Sequence, residues 1–278
     1  MKVALVTGAS SGIGESTAVE LHKAGYTVYA AARRVQRMEG LRAQGIRTLA
    51  MDVTSDESMA EGVEKIIGEA GRIDVLVNNA GYGSYGAVED VPLDEARYQF
   101  EVNVFGLARL VQLVSPHMRR AGSGKIINVS SIGGRIYEPL GAWYHSTKFA
   151  VEGLSDSLRL ELRPFGIDVV VIQPGGIRTE WGGIAVENLE KTSGGGAYAE
   201  QVRQLAALFA QTERGSEPKV IADVIVKAAG ARRPRTRYAA GFGAKPILFT
   251  RRVLPDRAFD AMFLGALRLF GRPREQKV

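Results

Sequence analysis

The chain has no cysteine, which excludes thiolate nucleophiles, disulfide frameworks and cysteine-ligated metal sites. Histidine is almost as scarce: His22, His117 and His145 lie far apart with no ligand-like spacing, which argues against a metalloenzyme. Long apolar runs are missing too. The opening MKVALVTGAS carries an apolar stretch of about six residues that breaks at Thr7-Gly8, shorter than a secretory signal requires, so the chain reads as cytoplasmic. Acidic residues are few near the end: residues 231–278 hold twelve Lys/Arg against three Asp/Glu, while the whole chain carries a net charge of +6. The rest is mildly acidic. The basic residues of the tail are interleaved with apolar ones and form no recognisable nucleic-acid module, so no nucleic-acid partner is expected.

What is present is an ordinary globular composition, 45% hydrophobic and 24% charged over 278 residues, enough for one sizeable core. Six short β-branched runs recur: 3–7, 26–32, 46–53, 73–79, 125–131 and 167–174. Between them lie segments with helical apolar spacing, among them 13–24, 56–70, 93–120 and 143–165. The strand runs are apolar on both faces, as parallel strands covered by helices should be. The alternation predicts a doubly wound α/β domain spanning 1–278, with a parallel sheet of six or seven strands and helices on both faces. From Gly175 the rhythm changes. Residues from there to about 215 are rich in Gly and polar residues beyond the carboxyl end of the sixth strand, and read as a substrate loop or lid, or else as a plain surface loop.

The loop Thr7-Gly8-Ala9-Ser10-Ser11-Gly12-Ile13-Gly14 follows the first strand and opens a helix. Gly8 suits a sharp turn, Gly12 lets backbone approach a pyrophosphate, and Gly14 lets helix and strand pack closely. The helix N-terminus offers N–H groups and a positive dipole end to phosphates. After the second strand an acid would bond the ribose 2′-hydroxyl of NAD, whereas a basic residue accommodates the 2′-phosphate of NADP. Here stand Arg33 and Arg34, with no acid before Glu39. They are candidate clamps for that phosphate, favouring NADP(H) over NAD(H), unless they are merely solvated surface charge.

Tyr144 is the one tyrosine with a lysine four residues on, Lys148, which places both on one helical face. An ammonium there would favour the phenolate, drawing the pKa down from about 10 toward the working range and making the hydroxyl a general acid or base. Ser131, ending the fifth strand run, and Asn79, ending the fourth, would emerge at the same sheet edge as the glycine loop.

In order and spacing, TGASSGIG, Asp52, NNAG at 78–81, Asn103, Ser131, Tyr144-x-x-x-Lys148 and Pro174-Gly175-x-Ile177-x-Thr179 resemble the classical short-chain dehydrogenase/reductase family over roughly residues 1–180. The resemblance implies a Rossmann fold and an NADP(H)-dependent oxidoreductase that interconverts an alcohol with a ketone or aldehyde. By that resemblance Tyr144 would exchange the proton, Lys148 would bond the nicotinamide ribose, Ser131 would orient the substrate oxygen, and Asn103 would hold a water in a proton relay. Gly8, Ser10, Ser11, Gly12, Ile13 and Gly14 would cradle the pyrophosphate. Asp52 and the Val53 backbone would meet the adenine, Asn79 would line the cleft, and Pro174, Gly175, Ile177 and Thr179 would contact the nicotinamide end. Family members are commonly homodimers or homotetramers joined through helices such as 93–120 and 143–165. Two departures stand out: Ser11 is neutral where many NADP-preferring members carry a basic residue, and His145, directly after the tyrosine, reads as a surface residue without a role. An NAD-linked enzyme of the family and a non-catalytic NADP-binding regulator remain alternatives.

In the tail, residues 256–270 predict a helix capped by Asp256 after Pro255, with Phe259, Met262, Phe263, Ala266, Leu267 and Phe270 at helical spacing. It fits a core helix, a wall of an apolar substrate pocket, or a weak membrane-surface contact. The tail also resembles that of family members acting on lipophilic alcohols and ketones, which implies an apolar small-molecule substrate.

Overall fold

The computed structural model describes residues 1–210 and 215–270; residues 211–214 and 271–278, and the side chain of Phe270, lie outside the described set. Among the described residues the strands are β1 (Val3–Thr7), β2 (Thr27–Ala32), β3 (Arg47–Ala50), β4 (Val75–Asn78), β5 (Gly124–Val129), β6 (Ile167–Pro174) and β7 (Arg237–Ala240). The helices are α1 (Gly12–Lys23), α2 (Glu39–Arg42), α3 (Asp56–Ala70), α4 (Leu93–Phe100), α5 (Gly106–Arg120), α6 (Ala142–Leu162), α7 (Glu180–Ser193), α8 (Ala199–Ala210), α9 (Lys219–Gly230), α10 (Ala244–Val253) and α11 (Asp256–Phe270). None of the described helices is long and apolar enough to cross a membrane.

All pairs are parallel, in the order β3-β2-β1-β4-β5-β6-β7. Alternate strand residues feed two cores. Leu5, Tyr29 and Ile126 pack with Val63, Leu110 and Val151 on one face, while Val6, Ala30 and Ile127 pack with Ala18, Ile221 and Ile225 on the other. Since the chain winds outward from β1 to β3 and then restarts at β4 on the other side of β1, a crevice opens at the carboxyl ends of β1 and β4.

The six strand runs and the helix at 56–70 are found where the periodicity puts them, and the sheet gains a seventh strand. β7 is short, half-buried and carries Arg237, so it lacks the apolar signature of the others. It is anchored electrostatically: Arg237 Nε donates to the buried Glu152 carboxylate at 2.9 Å and Arg237 Nη2 to Asp156 at 2.7 Å, while Gln173 donates to Glu152 at 2.9 Å. Arg237, helped by Arg159, draws the Asp156 carboxyl down to about 2. That carboxylate supports the fold above its ordinary value of 3.8, and the contribution is lost as the pH falls through about 2. Glu152→Ala leaves Arg237 with half of its partners gone and is expected to cost about 3 kcal/mol. A fall in Tm of roughly 6 °C should follow, and an unchanged Tm would contradict the anchoring role.

Two expectations need correction. The stretch after Gly175 is largely helical: Trp181, Ala185 and Leu189 of α7, and Val202, Leu205 and Phe209 of α8, recur at helical spacing and bury against one another and against Tyr144. Thr179 starts α7, its Oγ1 accepting the Trp181 N–H at 3.3 Å. At α11, Asp256 is not the cap. The Pro255 carbonyl takes the N–H groups of Ala258 and Phe259, both at 3.0 Å, and the Asp256 carboxylate takes Arg251 at 2.7 Å. Phe259 and Leu267 are buried, Leu267 in the cluster around Tyr144, whereas Met262 and Leu264 are exposed.

Candidate active site

The crevice is built by stitching β1 to β4. Thr7 Oγ1 accepts the N–H groups of Asn79 and Ala80, both at 3.1 Å, and Asn79 Nδ2 reaches back to the carbonyls of Thr7 at 3.0 Å and Gly8 at 3.3 Å. The glycine loop is held against this seam. Gly8 has φ +64°, and a Cβ there would lie 2.8 Å from Ala80 Cα; at Gly14 it would lie 2.3 Å from the Gly8 carbonyl oxygen. The Ser11 hydroxyl does not cap α1, which leaves the first-turn N–H groups of Gly12, Ile13 and Gly14, next in sequence to Ser10, without that partner. Pro174 ends β6, with Gly175 next, packed on the Phe242–Ala244 backbone; Ile177 packs on the sheet core, and the Thr179 methyl comes within 3.1 Å of where a Gly12 Cβ would stand, which brings Thr179 against the glycine loop.

Past β2, Arg33 and Arg34 are exposed, and Arg33 donates to the Tyr98 hydroxyl at 2.8 Å. A third arginine, unnoticed in the sequence, joins them: Arg37 grips Glu180 at the start of α7 through two bonds of 2.5 and 3.1 Å, which holds the Glu180 carboxyl below its usual range. The spacing Arg33-Arg34-x-x-Arg37 was the available signal. Asp52 Oδ1 accepts from the Thr54 N–H at 2.9 Å and hydroxyl at 2.8 Å, and the Val53 carbonyl touches Gly106.

Asn103 sits in a π-turn, Glu101–Phe105, that widens the helix between α4 and α5, a device frequent at functional sites. Its side chain clamps the Tyr82 backbone, accepting at 3.0 Å and donating at 2.9 Å, and donates to Thr147 at 3.0 Å. Ser131 heads a short turn, Ile132–Gly134; its Oγ accepts the Gly133 N–H at 3.0 Å and lies close enough to the Tyr144 phenol to favour its ionised form. Lys148 Nζ donates to the Val129 carbonyl at 3.1 Å and stands 5.8 Å from the Tyr144 ring centroid. Ser131, Tyr144, Lys148 and Asn103 are thus brought together at the edge that carries the glycine loop.

The electrostatics differ from the expectation for Tyr144. Among the protein's own groups, burial pushes its phenol up to about 12, against the opposing influence of Ser131, and burial likewise pushes Lys148 down to about 8. The phenol therefore keeps its proton at neutral pH, the form a proton donor needs. Around it stand Tyr85 at 5.5 Å and Trp181 at 5.2 Å between ring centroids, with Phe209 5.2 Å from Tyr85. His145 is not on the surface: it is buried, with Nδ1 2.8 Å from the Gly133 carbonyl oxygen, because α6 turns this face into the molecule.

The family model for short chain dehydrogenases matches residues 2–189. The chain belongs to the short-chain dehydrogenase/reductase family. These proteins are oxidoreductases with a Rossmann fold and a nicotinamide cofactor. This member is 38% identical over 273 residues to a 3-ketodihydrosphingosine reductase of Bacteroides thetaiotaomicron, covering 97% of each chain. It is 33% identical over 289 residues to an NADPH-dependent 3-dehydrocapnine reductase of Ornithobacterium rhinotracheale, covering 96% of this chain and 98% of the relative. A short-chain dehydrogenase from Streptomyces avermitilis superposes with a TM-score of 0.79 at 34% identity over 96% of each chain.

The glycine turn fits such a nucleotide. Its close backbone approaches leave no room for side chains at Gly8 and Gly14, α1 offers its first-turn N–H groups, and three guanidinium groups lie beyond β2.

Proposed function

We propose that this protein is an NADP(H)-dependent oxidoreductase that interconverts an alcohol with a ketone or aldehyde on a predominantly apolar small molecule. The observation that carries the reading is the convergence of Ser131, Tyr144 and Lys148, with Lys148 Nζ 5.8 Å from the Tyr144 ring centroid, at the carboxyl edge of the sheet. When bound, the nicotinamide supplies or accepts the hydride.

The protein's own residues do the rest. Tyr144 delivers its proton to the substrate oxygen in reduction and recovers it in oxidation, and Ser131 holds that oxygen and the phenol in line. Lys148, lowered to about 8 by burial and still mostly ammonium at neutral pH, bonds the nicotinamide ribose and supplies positive potential to the phenolate. Asn103 holds the widened turn through which a water returns protons from solvent to Lys148. Gly8, Ser10, Ser11, Gly12, Ile13 and Gly14 take the pyrophosphate, and Asp52 and Val53 the adenine. Asn79 shapes the cleft by fixing the loop, while Pro174, Gly175, Ile177 and Thr179 bound its nicotinamide end. Arg33 and Arg34 hold the 2′-phosphate; the relative named NADPH-dependent supports that choice. Exposed Phe105, Phe149 and Leu160 on the long central helices supply a face for a homodimer or homotetramer.

Apolar specificity rests on Tyr85, Trp181 and Phe209, with Leu189, Leu205 and Leu267 behind them, lining the side of Tyr144 that substrate must reach. Both relatives named above as reductases are consistent with the reductive direction. Across ketones graded by chain length with NADPH, kcat/KM is expected to rise about fourfold per added methylene until the pocket is filled. Trp181→Ala should move the optimum to bulkier ketones. A flat response to length would contradict an apolar pocket.

A further inference from the structure

His145 and Glu138 are buried or nearly so, and the mechanism above uses neither. The His145 Nδ1 lies 2.8 Å from the Gly133 carbonyl oxygen, and since a carbonyl only accepts, Nδ1 carries the hydrogen. On the other edge of the ring, Nε2 faces Glu138 Oε1 at 3.7 Å, an ion-pair distance longer than a hydrogen bond. That carboxylate oxygen is itself fixed by the Tyr85 hydroxyl at 2.9 Å. Burial works against charge on the imidazole, but Glu138 and the Gly133 carbonyl outweigh it and hold His145 above its ordinary value.

The surrounding backbone is shaped to this ring. A Cβ on Gly133 would stand 3.1 Å from Nδ1, and one on Gly141 would stand 2.9 Å from Cδ2. Leu140, just before Gly141, has φ 63°, an unusual conformation for a bulky residue, and its carbonyl takes the Gly86 N–H at 2.7 Å. Substituting either glycine would push the backbone off the imidazole.

The two peptide groups that flank Gly133 are held at opposite ends, the following one by His145 and the preceding one by Ser131. The Gly133 N–H donates to Ser131 Oγ at 3.0 Å, and Ser131 in turn acts on the Tyr144 phenol. The circuit closes through α6: Tyr144 and His145 are neighbours, His145 holds the Gly133 carbonyl, the Gly133 N–H holds Ser131, and Ser131 stands by Tyr144. We propose that His145, steadied by Glu138, is a positioning residue that locks the Ser131 turn onto α6 and thereby holds the Ser131 hydroxyl toward Tyr144 for proton transfer. This rests on the assignment of Ser131 and Tyr144 to catalysis.

Three variants test it: His145→Leu, His145→Asn, and Ser131→Ala combined with His145→Leu. The asparagine amide keeps a donor close to the place of Nδ1; leucine removes it. His145→Leu is expected to lower kcat by about 10- to 100-fold, the scale set by small misplacements of reacting groups, with the NADPH Kd within about twofold of the parent. Its pH profile should shift its alkaline limb upward, since the influence of Ser131 that favours the phenolate is weakened. His145→Asn should retain activity within about threefold, and the double variant should be no slower than Ser131→Ala alone. The crystal structure of His145→Leu should show Ser131 Oγ displaced away from Tyr144 relative to the parent. Equal losses in the leucine and asparagine variants, a full additional loss on top of Ser131→Ala, or undiminished kcat would overturn the role. Should the leucine variant be insoluble, His145→Ala takes its place with the same expectations. Tyr144→Phe, assayed alongside, separates the two levels. Full turnover in it removes the catalytic assignment itself, whereas an inactive Tyr144→Phe beside a fully active His145→Leu removes only the role given to His145.

Discussion

Tyr144→Phe is expected to lower kcat by roughly three orders of magnitude, the scale of a lost general acid, while the NADPH Kd stays within about twofold. The change removes one oxygen and leaves the ring among Tyr85 and Trp181, so the fold has no reason to respond. The proton is available because burial keeps the phenol protonated, up to about 12, well past neutrality. Phenylalanine keeps the packing and loses that donor. Steady-state oxidation of NADPH with a saturating ketone, and nucleotide titration followed by nicotinamide fluorescence, separate the two quantities. A non-catalytic NADP-binding regulator on the same fold would show no turnover in the parent protein and no difference between the two.

The second large effect concerns the choice of nucleotide. Arg33→Ala is expected to raise the KM for NADPH about tenfold, and Arg33→Ala with Arg34→Ala about a hundredfold, because charge-assisted bonds to phosphate contribute about 1.5–3 kcal/mol each and these guanidinium groups are exposed to solvent. The KM for NADH, which lacks the phosphate, should stay within about twofold. Arg37 is the useful control. It is engaged with Glu180, so Arg37→Ala should act first on the anchoring of α7 and less on discrimination between the nucleotides. An unchanged NADPH KM in the double variant would contradict the clamp.

Much of this architecture is legible along the chain because parallel strands buried on both faces write unbroken apolar runs: VALVT at 3–7 and IDVVVIQP at 167–174 coincide with β1 and β6. The glycine loop and Tyr144-x-x-x-Lys148 are legible for a different reason, since both rely on local spacing within a single turn or helix. What was not legible depends on partners distant in sequence. β7 is held by Glu152 and Asp156 of α6, and no pattern within RYAA announces it. α7 and α8 hide behind glycines that loosen the pattern without breaking it, their apolar residues meeting Tyr144 only in three dimensions. His145 looked like surface because one histidine between polar residues carries no periodicity; its burial is set by Gly133 and Gly141 from a loop that precedes α6. The lowered phenol pKa expected from Lys148 was a statement about spacing, and at 5.8 Å, in a dry site, burial outweighs it.

The most direct measurement is a crystal structure of the protein with NADP⁺ and a ketone or alcohol of moderate chain length. The account predicts the pyrophosphate on the glycine turn, the 2′-phosphate between Arg33 and Arg34, the ribose on Lys148, and the substrate oxygen within hydrogen-bonding reach of both Ser131 and Tyr144. A nicotinamide ring facing away from Tyr144, or a substrate oxygen held by other groups, would contradict it.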